Sequence, residues 1–124
     1  MKKISSMVVL VIIIVFLSGC QKATNEPINP TTSLGVVEAK KKAEEDLAIA
    51  KAKVLWQEAI NNGADLSKGP CLANDLMPDW VADIAHYPRQ PIDNQPENQC
   101  SAFREGRAHH FVELDEQGQV IKVY

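Results

Sequence analysis

The chain has 124 residues, 45% of them hydrophobic and 23% charged, with a formal net charge of −3. That length accommodates one small folded domain and excludes two large ones or a protein that crosses the membrane several times. Thirteen of the hydrophobic residues fall within residues 1–19, so from Cys20 onward the hydrophobic share drops to about 41%, ordinary for a small domain. The same stretch carries 11 basic against 16 acidic side chains, and this acidic balance argues against a broad nucleic-acid-binding surface.

Residues 1–19 open with Lys2 and Lys3, run through uninterrupted apolar residues from Met7 to Leu17, and exit through Ser18 and Gly19. A positive start, a short apolar stretch and small residues at the exit form an export signal. The apolar stretch falls short of the roughly 20 residues a spanning helix needs. Leu17-Ser18-Gly19-Cys20 resembles the lipobox of prokaryotic lipoproteins. That resemblance implies a diacylglycerol, typically carrying palmitate, on Cys20, cleavage before it, and a place on the outer side of a cell membrane. Gln21 follows the cysteine in place of the aspartate associated with inner-membrane retention, which implies the outer membrane if the source is Gram-negative.

Residues 20–33 are polar, contain Pro27 and Pro30, and are expected to be a flexible linker. A single domain is expected over residues 34–124. It starts with a helix from Leu34 to Asn62, about 40 Å long, rich in Ala, Lys, Glu and Leu and stopped by Asn62-Gly63. Ala43, Leu47, Ala50 and Val54 recur at helical spacing and predict the buried face, widened by Ile49, Leu55, Trp56 and Ile60. The first turns are expected to project beyond the core. Lys40-Lys41-Lys42 and Glu44-Glu45-Asp46 there form a solvated, self-compensating face rather than a basic collar for lipid headgroups.

Prolines punctuate residues 64–100, leaving room for short elements only. Residues 79–87 suit either a strand or a short helix, and the β-favouring Trp80, Val81 and Ile84 tip the reading towards a strand. Ala108–Leu114 and Gln119–Tyr124 flank a turn containing Gly118 and predict a β-hairpin. The fold class is therefore α+β: one long helix on a small antiparallel sheet, with a C-terminal hairpin and an irregular loop.

With Cys20 assigned to lipid, Cys71 and Cys100 remain, and outside the cytoplasm such a pair predicts a disulfide. Closing a loop of about 29 residues stabilises a domain by roughly 3–4 kcal/mol. No Cys-x-x-Cys motif is present, and the cysteines and histidines lack the spacing of a zinc site.

The candidate chemistry lies with the histidines. His109 and His110 are adjacent and must face opposite sides of a strand. Asp79, Asp83 and His86 would share one face of a helix but not of a strand. A divalent-metal or small-ligand site built from Asp83, His86, His109 and His110 is one reading, and a His/Asp enzyme site using His86 is another. Arg89, Asp93, Glu97, Arg104, Glu105 and Arg107 form a mixed-charge rim around the cysteine loop, which with Tyr87 and Trp80 suits a recognition surface. No nucleophile elbow, phosphate-binding glycine loop or His-Glu-x-x-His motif occurs. The expected function is a lipid-anchored envelope protein that presents a small, non-catalytic domain to an envelope partner, with no obligatory cofactor.

Overall fold

A computed structural model of the chain describes residues 30–124. The expected export signal, Cys20 and the expected linker as far as residue 29 lie outside the described residues. The order of elements is α1 (Pro30–Asn61), β1 (Cys71–Met77), β2 (Trp80–Ile84), a 3₁₀ turn at Pro91–Asn94, α2 (Ser101–Arg104), β3 (His110–Leu114) and β4 (Val120–Val123). No helix among the described residues is long and apolar enough to cross a membrane.

Helix α1 begins earlier than its apolar content suggests, so residues 30–33 belong to the helix and not to the linker. Pro30 suits a helix's first position, where its missing N–H would have had no intrahelical partner and its fixed φ is already helical. At the other end Gly63 takes φ 71°. Its N–H donates to the Ile60 carbonyl while the Ala64 N–H donates to that of Ala59, the paired bonds of a Schellman stop.

The buried face of α1 is not the Ala43-Leu47-Ala50-Val54 stripe. Leu47 and Val54 are 51% and 57% exposed, and Ala48 and Ala52, both fully buried, point into the core instead. With Ile49, Leu55, Trp56 and Ala59 they pack on Leu76, Trp80, Ala82, Ile84, Val112 and Leu114 of the sheet. The reason is steric. The sheet supplies the bulk, so the helix approaches through its smallest side chains. Every described side chain from Ser33 to Glu44 is exposed, so the first turns do project.

The sheet runs β1-β2-β3-β4 and is mixed rather than wholly antiparallel. The outer pairs are antiparallel, but β2 and β3 run parallel, register partners from Trp80↔His110 to Ile84↔Leu114. Parallel neighbours cannot be joined by a tight turn. The chain from residue 85 to 109 supplies the connection and carries Pro88, Pro91 and Pro96, the 3₁₀ turn, α2 and Cys100. This crossover covers the sheet face opposite α1, where Val81, Cys100, Ala102 and Ala108 form a second buried cluster with Cys71 and Phe111 against it.

Residues 79–87 resolve as a strand with a turn before it. Pro78 and Asp79 link β1 to β2, with Asp79 at φ 70°. Proline followed by a positive-φ residue is the pattern of a type II turn, and aspartate tolerates that region better than most side chains. The C-terminal hairpin is present as β3 and β4. In its loop the Asp115 carboxylate accepts from the N–H groups of Gln117 and Gln119 at 2.9 and 2.7 Å. Gly118 sits at φ 76° under the Trp56 ring, whose Nε1–H donates to the Glu116 carbonyl at 3.1 Å. The hairpin loop is thereby pinned to α1.

Candidate functional site

The Cys71–Cys100 disulfide ties the first residue of β1 to the residue before α2, with Cα atoms 4.7 Å apart. Asn74 of β1 reinforces the join: its side-chain oxygen Oδ1 accepts from the Ala102 N–H at 2.9 Å and from the Ser101 hydroxyl at 3.1 Å. The crossover is thus fixed to the sheet both covalently and by hydrogen bonds.

Beneath this join the strand register aligns one row of side chains across the sheet. Cys71 pairs with Asp83, Asp83 with Glu113, and Glu113 with Lys122. Alternation puts Val81 and Phe111 on the same face one step away, with Tyr124 bonded to Phe111 through both backbone N–H groups at 3.0 Å. Of these, Val81, Asp83, Phe111, Glu113 and Lys122, together with Arg89, Gln99, Cys100, Phe103 and Arg104, line a cleft of about 570 Å³. One side of the cleft is aromatic. Phe103 meets Phe111 edge-on at 5.0 Å, Phe111 stacks on Tyr124 at 5.6 Å, and the Lys122 ammonium lies over both rings at 5.4 and 5.8 Å.

The floor carries two carboxyl groups from neighbouring strands, and their surroundings differ. Glu113 is buried and ion-paired with Arg89, which also donates to the Asn94 side chain at 3.1 Å. The hydrogen bond to Glu113 holds the Arg89 guanidinium above its usual range despite partial burial. Asp83 receives no such partner. Among the described residues its Oδ1 is the one buried side-chain oxygen or nitrogen without a hydrogen bond. Burial, followed by the adjacent Glu113 carboxylate, pushes the Asp83 pKa up to about 7, with Arg89 opposing. A neutral carboxyl group therefore sits on the cleft floor at mildly acidic pH.

The four residues read as metal ligands do not meet. His86 lies past the end of β2, where its Nδ1 is 2.7 Å from Oδ1 of the buried Asp93. Burial alone would raise the Asp93 pKa, but hydrogen bonds from the Gln90 N–H, the His86 ring and the His86 N–H bring it below the ordinary value. That bond to Asp93 raises the His86 pKa. Asp93 is thus the internal fastening of the crossover. His109 and His110 converge on the turn residue Asp79, with Nδ1 of His109 2.6 Å from Oδ1 and Nε2 of His110 3.7 Å from Oδ2. The His109 bond lowers the Asp79 pKa. His109 is the outward histidine, while the half-buried His110 stacks on Trp80 at 4.8 Å.

The Asp79-Asp83-His86 stripe likewise dissolves, because the first lies in a turn, the second on the disulfide face and the third in the crossover. Among the described residues, one group of three metal-ligand side chains has its atoms within 4.8 Å of one another: Cys71, Asp83 and Cys100. With both sulfurs joined to each other, it offers no thiolate to a cation.

Of the mixed-charge rim, Arg89 and Arg104 enter the cleft, whereas Arg107 and Glu105 pair with each other in solvent at 2.7 Å. Sequence reasoning passed over Glu113 and Lys122. The signal was available in part: Glu113 interrupts an otherwise apolar run and shares the strand face of Phe111. What local sequence lacked was the identity of the strand beside it. Comparison of the chain with protein-family models, with curated proteins and with solved structures finds no match.

Proposed function

We propose that this chain is a lipid-anchored protein of the cell envelope, and that its small disulfide-bonded domain binds an envelope partner through the cleft on the disulfide face. The anchoring half rests on Lys2, Lys3, the apolar run and the lipobox ending at Cys20. The binding half rests on one observation. A cleft of about 570 Å³ joins an aromatic wall, basic groups from Arg104 and Lys122, and a paired carboxyl floor on a rigid sheet. Interfaces concentrate their binding energy in aromatic and arginine side chains held in place by a scaffold. Tyr124, 64% exposed, and the partly exposed Phe103 offer such anchors at the cleft's edge.

The two halves are tested separately. Radiolabelled palmitate supplied to producing cells labels the chain, and Cys20→Ser abolishes both the label and membrane retention; a Cys20→Ser protein that stays lipidated overturns the anchoring claim. A photo-crosslinking amino acid at position 103 captures a discrete partner in intact cells. That adduct disappears in Arg104→Glu/Lys122→Glu and persists in His86→Ala and His109→Ala. An adduct indifferent to the two charge reversals overturns the cleft as the contact surface.

A further inference from the structure

One oxygen of the Asp83 carboxyl, Oδ1, is buried without a hydrogen bond, yet the group lies against a covalent bond that a proton donor can help to break. We propose that the Cys71–Cys100 disulfide exchanges with dithiol substrates, and that Asp83 supplies the proton to the departing Cys100 sulfur. The carboxyl oxygen and both sulfurs lie within 4.8 Å of one another. The arrangement is enforced by the fold, because Cys71 and Asp83 are register partners on adjacent strands. A purely structural disulfide has no need of a carboxyl beneath it. An aliphatic side chain at position 83 would pack there without leaving a buried oxygen unsatisfied.

The two sulfurs are not equivalent. Cys71 is half-buried, whereas Cys100 is 2% exposed. On that difference we assign Cys71 as the sulfur an incoming thiolate attacks, and Cys100, which lines the cleft, as the one that leaves. A place already exists for the thiol so formed: the Cys100 Sγ lies 3.1 Å from the Ala82 carbonyl oxygen and 3.4 Å from that of Ala73. In the disulfide these are contacts only; once Cys100 carries a hydrogen, either oxygen accepts it.

The chemistry balances. A substrate thiolate attacks Cys71 Sγ, forming a mixed disulfide as the Cys71–Cys100 bond breaks. The bonding pair departs on Cys100 Sγ, which takes the Asp83 proton directly or through one water. The second thiolate of the same substrate attacks its own first sulfur and releases Cys71. The substrate is oxidised by two electrons to a disulfide, and the protein is reduced to a dithiol. Solvent returns one proton to Asp83 and one to Cys71, matching the two that the substrate thiols gave up. The charged and titratable groups around Asp83 are Glu113 from β3, Arg89 and Asp93 from the crossover, Arg104 from α2 and Lys122 from β4. The inference concerns the disulfide itself and stands whether or not a partner occupies the cleft.

The test measures reduction of the Cys71–Cys100 bond in the full chain by dithiothreitol. Peptide mass spectrometry after alkylation gives the readout, and rates are expressed per thiolate so that the reagent's own ionisation drops out. The wild-type rate constant is expected to fall as pH rises through about 7, where Asp83 loses its proton. Asp83→Asn should be flat with pH and, at pH 6, slower than wild type by roughly tenfold or more. This second property separates proton donation from simple charge repulsion. Asparagine is as neutral as a protonated aspartate, so an Asp83→Asn protein as fast as wild type at pH 6 overturns the proposal. Glu113→Gln provides a check that leaves Asp83 in place. Without the neighbouring carboxylate the fall should move to lower pH, and an unmoved profile also overturns it.

Discussion

At the scale of single residues, Asp83 sets the balance of cost and consequence in this protein. Its pKa is about 7 in the folded chain against an ordinary 3.8, so between those values the folded state holds a proton that the unfolded chain has released. Its effect on stability is therefore least harmful at low pH and costs up to about 4 kcal/mol once the pH has passed 7. His86 acts in the same direction. Its folded pKa is raised, so its contribution is whole below the ordinary 6.5 and is lost as pH rises through the folded value. Asp93 acts at the opposite end: its lowered pKa gives stability that is present above 3.8 and lost as pH falls through the folded value. The melting temperature is accordingly expected to drop between pH 4.5 and pH 7, the span between the ordinary and the folded value of Asp83 and largely below that of His86. Asp83→Asn should remove most of that slope, and calorimetry at the two pH values decides the matter. An Asn variant with the wild-type slope would show that the cost arises elsewhere.

At the scale of elements, the helix and the hairpin depend on one another through Trp56 and Gly118. A Cβ at position 118 would lie 2.7 Å from the Trp56 ring, and the backbone there has a φ of 76° that side-chain-bearing residues rarely adopt. Gly118→Ala is therefore expected to destabilise the domain by about 2–4 kcal/mol, combining backbone strain with a forced shift of the ring. Urea unfolding measures it. Trp56→Phe in the same background should recover part of the loss, since the smaller ring relieves the overlap. If Gly118→Ala unfolds like wild type, the loop is not pinned as described. The hairpin itself was legible from Ala108–Leu114 and Gln119–Tyr124, because alternation and a glycine-bearing turn are local signals. Its docking on Trp56 was not, since the two lie 60 residues apart.

At the scale of the whole molecule, the sheet has two covered faces with different roles. The face under α1 is an apolar core, and the face under the crossover carries the disulfide, the carboxyl pair and the cleft. The projecting half of α1 belongs to neither. Deleting the chain through Glu44 is expected to change the free energy of unfolding of the remaining domain by less than about 1 kcal/mol, because the described side chains before Glu45 touch little of the core. Urea titration of the shortened chain tests this, and a larger loss would mean that the projecting turns do support the domain. The exposed Leu47 and Val54 belong to a second helical stripe that satisfies the same periodicity as the buried one.

That pair of overlapping stripes marks the limit of what sequence could decide. Composition and local pattern alone determined the α+β class, the single long helix and the hairpin; they left residues 79–87 open between strand and helix, leaning to a strand, and paired Cys71 with Cys100 only once Cys20 had been assigned to lipid. The helix and the hairpin follow from spacing and turn chemistry within a short stretch of chain. Tertiary structure alone decided which stripe of α1 is buried, that β2 and β3 run parallel, and that Asp83 sits between a disulfide and Glu113. Those outcomes depend on steric fit between distant segments and on strand register. A carboxyl's neighbours across a sheet leave no trace in the residues beside it in the chain.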